Sequence, residues 1–271
     1  SSRTTKRNQN SGFHRRFDAP HPSAPWTAMT DVLRVLSVFP ELLNVNGDSE
    51  NAAVLAARSR WAGHSARVIR LGLNDETPTD QPGMIVIGST TDAALPAVLN
   101  ALSRSRSALS DWIAAGVPLL AVGTGWEALS TSIALPDGTV DGLALIPGSA
   151  VAADARVSDD LVVQSRFGRL IGYENHARDY ALEPGSDALG EILYGRGNGR
   201  ASSSEGIVVG NTIGTHLHGP VLAKNPALAD YLLGIALGEG YDPRTVPTGR
   251  VDDIARAARN VIATRLELET E

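Results

Sequence analysis

Cysteine is absent from all 271 residues. That excludes a disulfide framework, a thiolate metal site and a thiol nucleophile. Positive charge is in deficit: 24 Lys and Arg stand against 30 Asp and Glu, a formal net charge of −6. Phosphate binding needs a concentrated excess of cations, so this balance argues against a nucleic-acid partner. No apolar run approaches the roughly 20 residues of a membrane-spanning helix, and the chain does not read as membrane-embedded. A cytoplasmic location is the default expectation. What is present is an ordinary globule, 42% hydrophobic and 20% charged, long enough for one large α/β domain with its own core.

The pattern divides the chain into a basic tail over residues 1–30, a main domain over 31–240 and a C-terminal helix within 241–271. The tail carries Arg3, Lys6, Arg7, Arg15 and Arg16 among several prolines. It has no apolar h-region, so it reads as disordered and not as a secretory signal. From Asp31 onward apolar strands alternate with amphipathic helices. Strands are predicted over 32–39, 66–71, 84–87 and 117–122, with helices over 49–62 and 95–115. Asp48 or Ser49 is placed to cap the first helix, and Asn51 reads the same way. Residues 133–158 read as loops and short strands, with weak strands at 161–164 and 189–194. Firmer strands follow at 206–209 and 212–217, then helices at 226–237 and 251–266. This order predicts a mostly parallel central sheet with helices on both faces.

The chemistry concentrates at two strand ends. Val117–Val122 runs into Gly123-Thr124-Gly125 and then a helix, the layout of a nucleophile elbow. Far downstream, Thr212–Leu217 ends at His218, a candidate general base. Taken alone, the glycine turn reads as a tight strand-to-helix connection in a binding fold, and it lacks the G-x-G-x-x-G spacing of a dinucleotide site. His216 and His218 alternate along a strand and are expected on one side, without a third ligand to make a metal site.

Longer segments carry a family resemblance. Phe39–Asn51 (FPELLNVNGDSEN) resembles a "YP-x-x-MN-x-YGD-x-GN" start, and Gly172–His176 (GYENH) matches a "GYENH" block. Gly195–Asn198 with Glu205-Gly206 echoes "GxGNN…EG", and Gly214–Asp230 follows "GTYLHGPLLxKNPxLAD" closely. Together these resemble the glutamine amidotransferase subunit of lipid II isoglutaminyl synthase, within the cobyric-acid-synthase-like class I amidotransferases. The resemblance implies a flavodoxin-like class I fold and a Mur-ligase-like, ATP-binding partner subunit. ATP and magnesium belong to that partner, which presents lipid II; no cofactor is expected in this chain. Ammonia from glutamine converts the α-carboxyl of D-glutamate to an amide, giving D-isoglutamine. By the resemblance His218 is the general base, Gly123 holds the nucleophile position and Arg156 holds the glutamine carboxylate. Gly88 lies in the loop that supplies oxyanion contacts, and Thr124 follows the nucleophile.

The departures gather at that centre. The family's "CGGYQ" stands here as Gly123–Glu127 (GTGWE), and "GGGQD" as Gly88–Asp92 (GSTTD). Without sulfur, glutaminase chemistry is not expected, and glutamine binding is in question. Thr124 is a far poorer nucleophile than a thiolate. Glu127 stands beside the expected cleft, and Glu174 and Asn175 could line it or brace the His218 loop. Three readings result: a degenerate subunit of the cell-wall amidation complex; an active glutaminase whose cysteine was engineered to glycine; or a binding protein in which Trp126 and Glu127 select a cationic or aromatic ligand.

Overall fold

A computed structural model describes residues 32–271, so the basic tail lies outside the described residues. The first half is the alternation expected: β1 (Leu33–Val38), α1 (Glu50–Trp61), β2 (Ala66–Leu71), β3 (Met84–Ile87), α2 (Leu95–Ala114), β4 (Leu119–Val122) and α3 (Thr124–Leu129). Then come β5 (Ser132–Leu135), β6 (Gly138–Asp141), β7 (Ser149–Ser165), β8 (Gly168–Ala181), β9 (Gly190–Tyr194), β10 (Ser204–Glu205), β11 (Ile207–Val209) and β12 (Thr212–Thr215). Helices α4 (Val221–Lys224), α5 (Pro226–Leu237) and α6 (Gly249–Arg265) complete the chain.

The first sheet has the order β11-β12-β4-β3-β1-β2, parallel except for β11. Its central strands are buried on both faces, and period-2 alternation sorts their side chains between two cores. Leu36, Val38, Ile85, Ile87, Leu119 and Ala121 pack on the α2 side with Leu102 and Trp112. Leu33, Val35, Met84, Val86, Leu120 and Val122 pack on the other side with Leu55 of α1 and Leu232 of α5. Each fully buried leucine contributes roughly 1.5–3 kcal/mol. Among the described residues no helix is long and apolar enough to cross a membrane.

The middle of the chain corrects the sequence reading. Residues 133–148 are the short strands β5 and β6 and a loop, as expected, but 149–158 begin a long strand, and these strands all belong to a second sheet ordered β10-β9-β7-β5-β6 with β8 on β7. Its spine is the 17-residue β7 paired antiparallel with the 14-residue β8. From Val151 to Asp159 this strand is mostly exposed and rich in Ala and Asp, so it carries no apolar alternation to read. Partner pairing makes it a strand, with a register shift between Ala152 and Val157.

Candidate functional site

The site lies where the carboxyl ends of β4 and β12 adjoin. Gly123 leaves β4 with φ 54° and ψ −126°, a region in which a residue bearing Cβ is strained by about 1–3 kcal/mol. Its N–H donates to the Thr215 carbonyl at 2.9 Å, and its carbonyl accepts from Glu127 N–H at 3.0 Å. The elbow geometry is therefore present without a side chain at its tip.

His218 faces that tip. Its Nδ1 lies 2.9 and 3.1 Å from the two oxygens of Asp48, so Nδ1–H donates to the carboxylate. Both side chains are wholly buried, and His218 Nε2 has no hydrogen-bond partner. The ring is packed against the glycine: a Cβ on Gly123 would stand 2.8 Å from Cε1, 3.3 Å from Nε2 and 3.0 Å from Ser89 Cβ. Distances under 3.0 Å require the ring to move. The backbone N–H of His218 donates to Tyr173 O at 2.8 Å, which fastens this turn to β8.

Asp48 was expected as a helix cap, and the structure corrects this. No side-chain cap bond forms at the start of α1; the Asp48 carboxylate instead takes His218 Nδ1 and the Ser89 hydroxyl. Asn51 is spent on tertiary contacts too, accepting from Leu222 N–H at 2.9 Å. Asp48 thus completes an acid–imidazole pair aimed at the elbow. Only the Gly47-Asp48 pair of the opening motif pointed to it, and local capping logic masked that signal.

The remaining candidates are spread around this pair. Gly88 is a close-approach glycine, since a Cβ there would lie 2.0 Å from Leu43 O and 3.0 Å from Asp48 Cβ. It lets the 43–48 segment bring Asp48 to His218. Thr124 is engaged with the neighbouring loop: its Oγ1 accepts from Thr90 N–H at 2.6 Å and donates to Thr90 O at 3.2 Å. Arg156 is exposed on β7, and its Nε donates to Asn175 Oδ1 at 3.1 Å. Asn175 donates to Asn46 at 3.2 Å, and Asn46 donates to Ser89 Oγ at 3.0 Å. A polar chain therefore runs from Arg156 to the carboxylate that holds His218.

Glu127 and Trp126 do not line an open cleft, which removes the basis for a cationic or aromatic ligand there. Arg178 Nε donates to Glu127 at 2.6 Å and its Nη2 to Asp92 at 2.7 Å, with Arg178 and Glu127 both almost fully buried. Trp126 is fully buried and stacks on Tyr180 with centroids 4.0 Å apart. His216 and His218 do not share a side either. The strand ends at Thr215, and His216 turns inward to Glu205 at 3.2 Å, stacking on His176 at 4.1 Å. Burial and the neighbouring His176 hold its pKa below the ordinary value.

His176 is also buried, which disfavours its charge, but the Glu174 carboxylate 2.9 Å away raises its pKa on balance. Glu174 further accepts from the N–H groups of Arg196 and Gly197, at 2.6 and 2.9 Å. The blocks holding Glu174, Gly197, Glu205 and His216 thus meet in one polar core beneath the His218 turn. Among the described residues no group of three or more His, Cys, Asp or Glu side chains could hold a metal ion.

The CobB/CobQ-like glutamine amidotransferase domain matches residues 37–226. The lipid II isoglutaminyl synthase (glutamine-hydrolyzing) subunit GatD of Staphylococcus aureus (strain N315) is 29% identical over 219 residues, covering 79% of this chain and 89% of the relative. The GatD of Streptococcus pneumoniae (strain ATCC BAA-255 / R6) is 23% identical over 217 residues, covering 77% and 82%. Among solved structures, one of PurLQS from Thermotoga maritima superposes with a TM-score of 0.52 at 13% identity, covering 78% of this chain and 97% of its own. A glutamine amidotransferase gives 0.51 at 14%, covering 74% and 98%. These likenesses show the flavodoxin-like class I fold. Elbow, two-sided sheet and motif blocks agree with them, and the chain belongs to the CobB/CobQ-like glutamine amidotransferase family.

Proposed function

We propose that this chain is the amidotransferase-like subunit of a complex that amidates the D-glutamate α-carboxyl of lipid II, and that it does not itself hydrolyse glutamine. Kinship with the two GatD subunits supports the pathway. One observation carries the loss of chemistry: a nucleophile's Cβ at position 123 would stand 2.8 Å from His218 Cε1, so the ring would have to shift to admit it. With no thiol to deprotonate, Nε2 has no proton to take, and no thioester forms. The Glu127–Arg178–Asp92 cluster adds support, because a carboxylate where the resemblance places a neutral glutamine has its own buried counter-ion. A single engineered replacement at 123 does not account for that fit.

In this reading the chain pairs as a heterodimer with a Mur-ligase-like subunit in the cytoplasm, and that subunit supplies ATP, magnesium and the lipid II site. The amidotransferase-like subunit stabilises the ligase or shapes a route for free ammonia. Arg156, at the end of the polar chain, is the residue proposed to meet a carboxylate; Gly88 and Thr124 shape the elbow beside it. The intact Asp48–His218 pair favours a second reading, in which glycine replaced a natural cysteine in an active glutaminase. Gly123→Cys separates the two. With the ligase subunit present, glutamate release is expected to stay at background, because the His218 ring would have to shift to admit the side chain and the buried Glu127–Arg178 pair stays in place. Strong glutamine turnover by the variant would favour the second reading, and turnover by the unaltered chain would overturn the first.

A further inference from the structure

We propose that Lys224 is an acylation site, its Nζ taking acyl groups from activated donors, acyl phosphates or acyl thioesters. The surroundings of this side chain carry the proposal, independent of the amidation role. Against 22 arginines the chain has two lysines, Lys6 and Lys224, so Lys224 is the only lysine among the described residues. A guanidinium stays charged, whereas a desolvated amine gives up its proton and becomes a nucleophile.

Lys224 closes α4, and its main chain is fixed on two sides. Arg259 Nη1 donates to the Lys224 carbonyl at 2.6 Å. The next residue, Asn225, accepts from Ile171 N–H at 2.9 Å and donates to Ile171 O at 3.0 Å, which ties the helix end to β8. The half-buried side chain then lies over Tyr173, with Nζ 5.8 Å from the ring centroid. A Cβ on Gly219 would stand 3.3 Å from Nζ, so the amine borders the residue that follows His218. Among the described residues Nζ has no hydrogen bond and no ion pair. The charged groups around it are engaged elsewhere: Asp160 with Arg265, Arg259 with Glu271, and His218 with Asp48. The ring stands near the limit of cation–π attraction, so it displaces water without replacing the hydration of a charge. Burial accordingly pushes the Lys224 pKa below the usual lysine value, with Asp160 acting in the opposite sense. In the step, the neutral Nζ lone pair attacks the acyl carbonyl carbon and a C–N bond forms. The C–O bond to phosphate, or the C–S bond, breaks with its electron pair on the leaving group, and the amine proton passes to solvent. The product is a neutral amide where a cation stood beside Tyr173 and Gly219.

The full chain is treated with acetyl phosphate and, in parallel, with acetyl coenzyme A. An end-blocked peptide of residues 221–227 supplies the same local sequence without the fold. Acetylation of Lys224 is followed by mass spectrometry across a pH series. At about pH 7.5 Lys224 in the chain should react at least about fivefold faster than the peptide lysine, and its rate should rise at lower pH, as a depressed amine pKa requires. Acceleration with both donors would place its cause in the amine; acceleration with one would assign that donor class. Tyr173→Ala readmits water to the amine, so its rate and pH profile should move towards those of the peptide. Two results would each overturn the proposal. One is a Lys224 that reacts with neither donor faster than the peptide, or with the same pH profile. The other is an acceleration that Tyr173→Ala leaves untouched in a chain that still melts cooperatively.

Discussion

Gly123 and His218 fit closely at the elbow. Glycine holds the φ of 54° without a Cβ to strain it, and the imidazole lies against its main chain. Asp48 holds that buried ring at Nδ1, and Nε2 has no hydrogen-bond partner. A second buried imidazole, His216, gives the fold a pH dependence. Burial and His176 lower its pKa, so the folded chain keeps it neutral while the unfolded chain takes up a proton below about 6.5. Stability contributed by the neutral ring is present above that value and is lost as pH falls towards the folded pKa. Burial raises the pKa of its partner Glu205, but His216 and the Thr215 hydroxyl outweigh this and lower it on balance, so the carboxylate's contribution is lost at still lower pH. Replacing His216 by Gln should flatten the fall of the urea midpoint between about pH 6.5 and 5; an unchanged slope would refute the assignment.

At the scale of elements, α6 is held by charge more than by apolar contact. Arg58 on α1 reaches Asp230 on α5 at 2.8 Å and Asp252 on α6 at 2.7 Å, with the guanidinium only 3% exposed. Tyr241 Oη adds a hydrogen bond to Asp230 at 2.5 Å. Removing one partner of a buried pair leaves the others uncompensated, at a cost of about 3–5 kcal/mol. Because Asp252 is partly solvated, Arg58→Ala is expected near the lower end, read from denaturant midpoints. It should also render residues 249–265 the first to be cut in limited proteolysis. Cleavage starting elsewhere, with stability unchanged, would show that α6 is held by other contacts.

At the scale of the whole molecule, the two sheets divide the work. The parallel sheet supplies the elbow and the histidine, and the β7–β8 hairpin fixes the His218 turn through Tyr173. The chain carries a formal net charge of −6, which opposes long-range attraction to polyanions. No mobility shift is expected with DNA or RNA at about 0.15 M salt; a shift that disappears at high salt would contradict this.

The sequence by itself determined the parallel half of the fold and the site's two poles. Apolar runs such as Val35–Val38 and Met84–Ile87 are contiguous, so their periodicity is written locally, and Gly123 and His218 stand at the ends of such runs. The exposed stretch of β7 was not legible, because polar residues become a strand there only by pairing with β8. Asp48 was misread for a related reason. Its carboxylate has a plausible local use at a helix start, and its actual partner lies 170 residues away. Glu127 likewise acquires its meaning from Arg178, 51 residues on. Side-chain pattern encodes which segments become strands and helices. Which charge meets which, and which imidazole stays buried and neutral, was decided only when packing brought distant strand ends together in the interior.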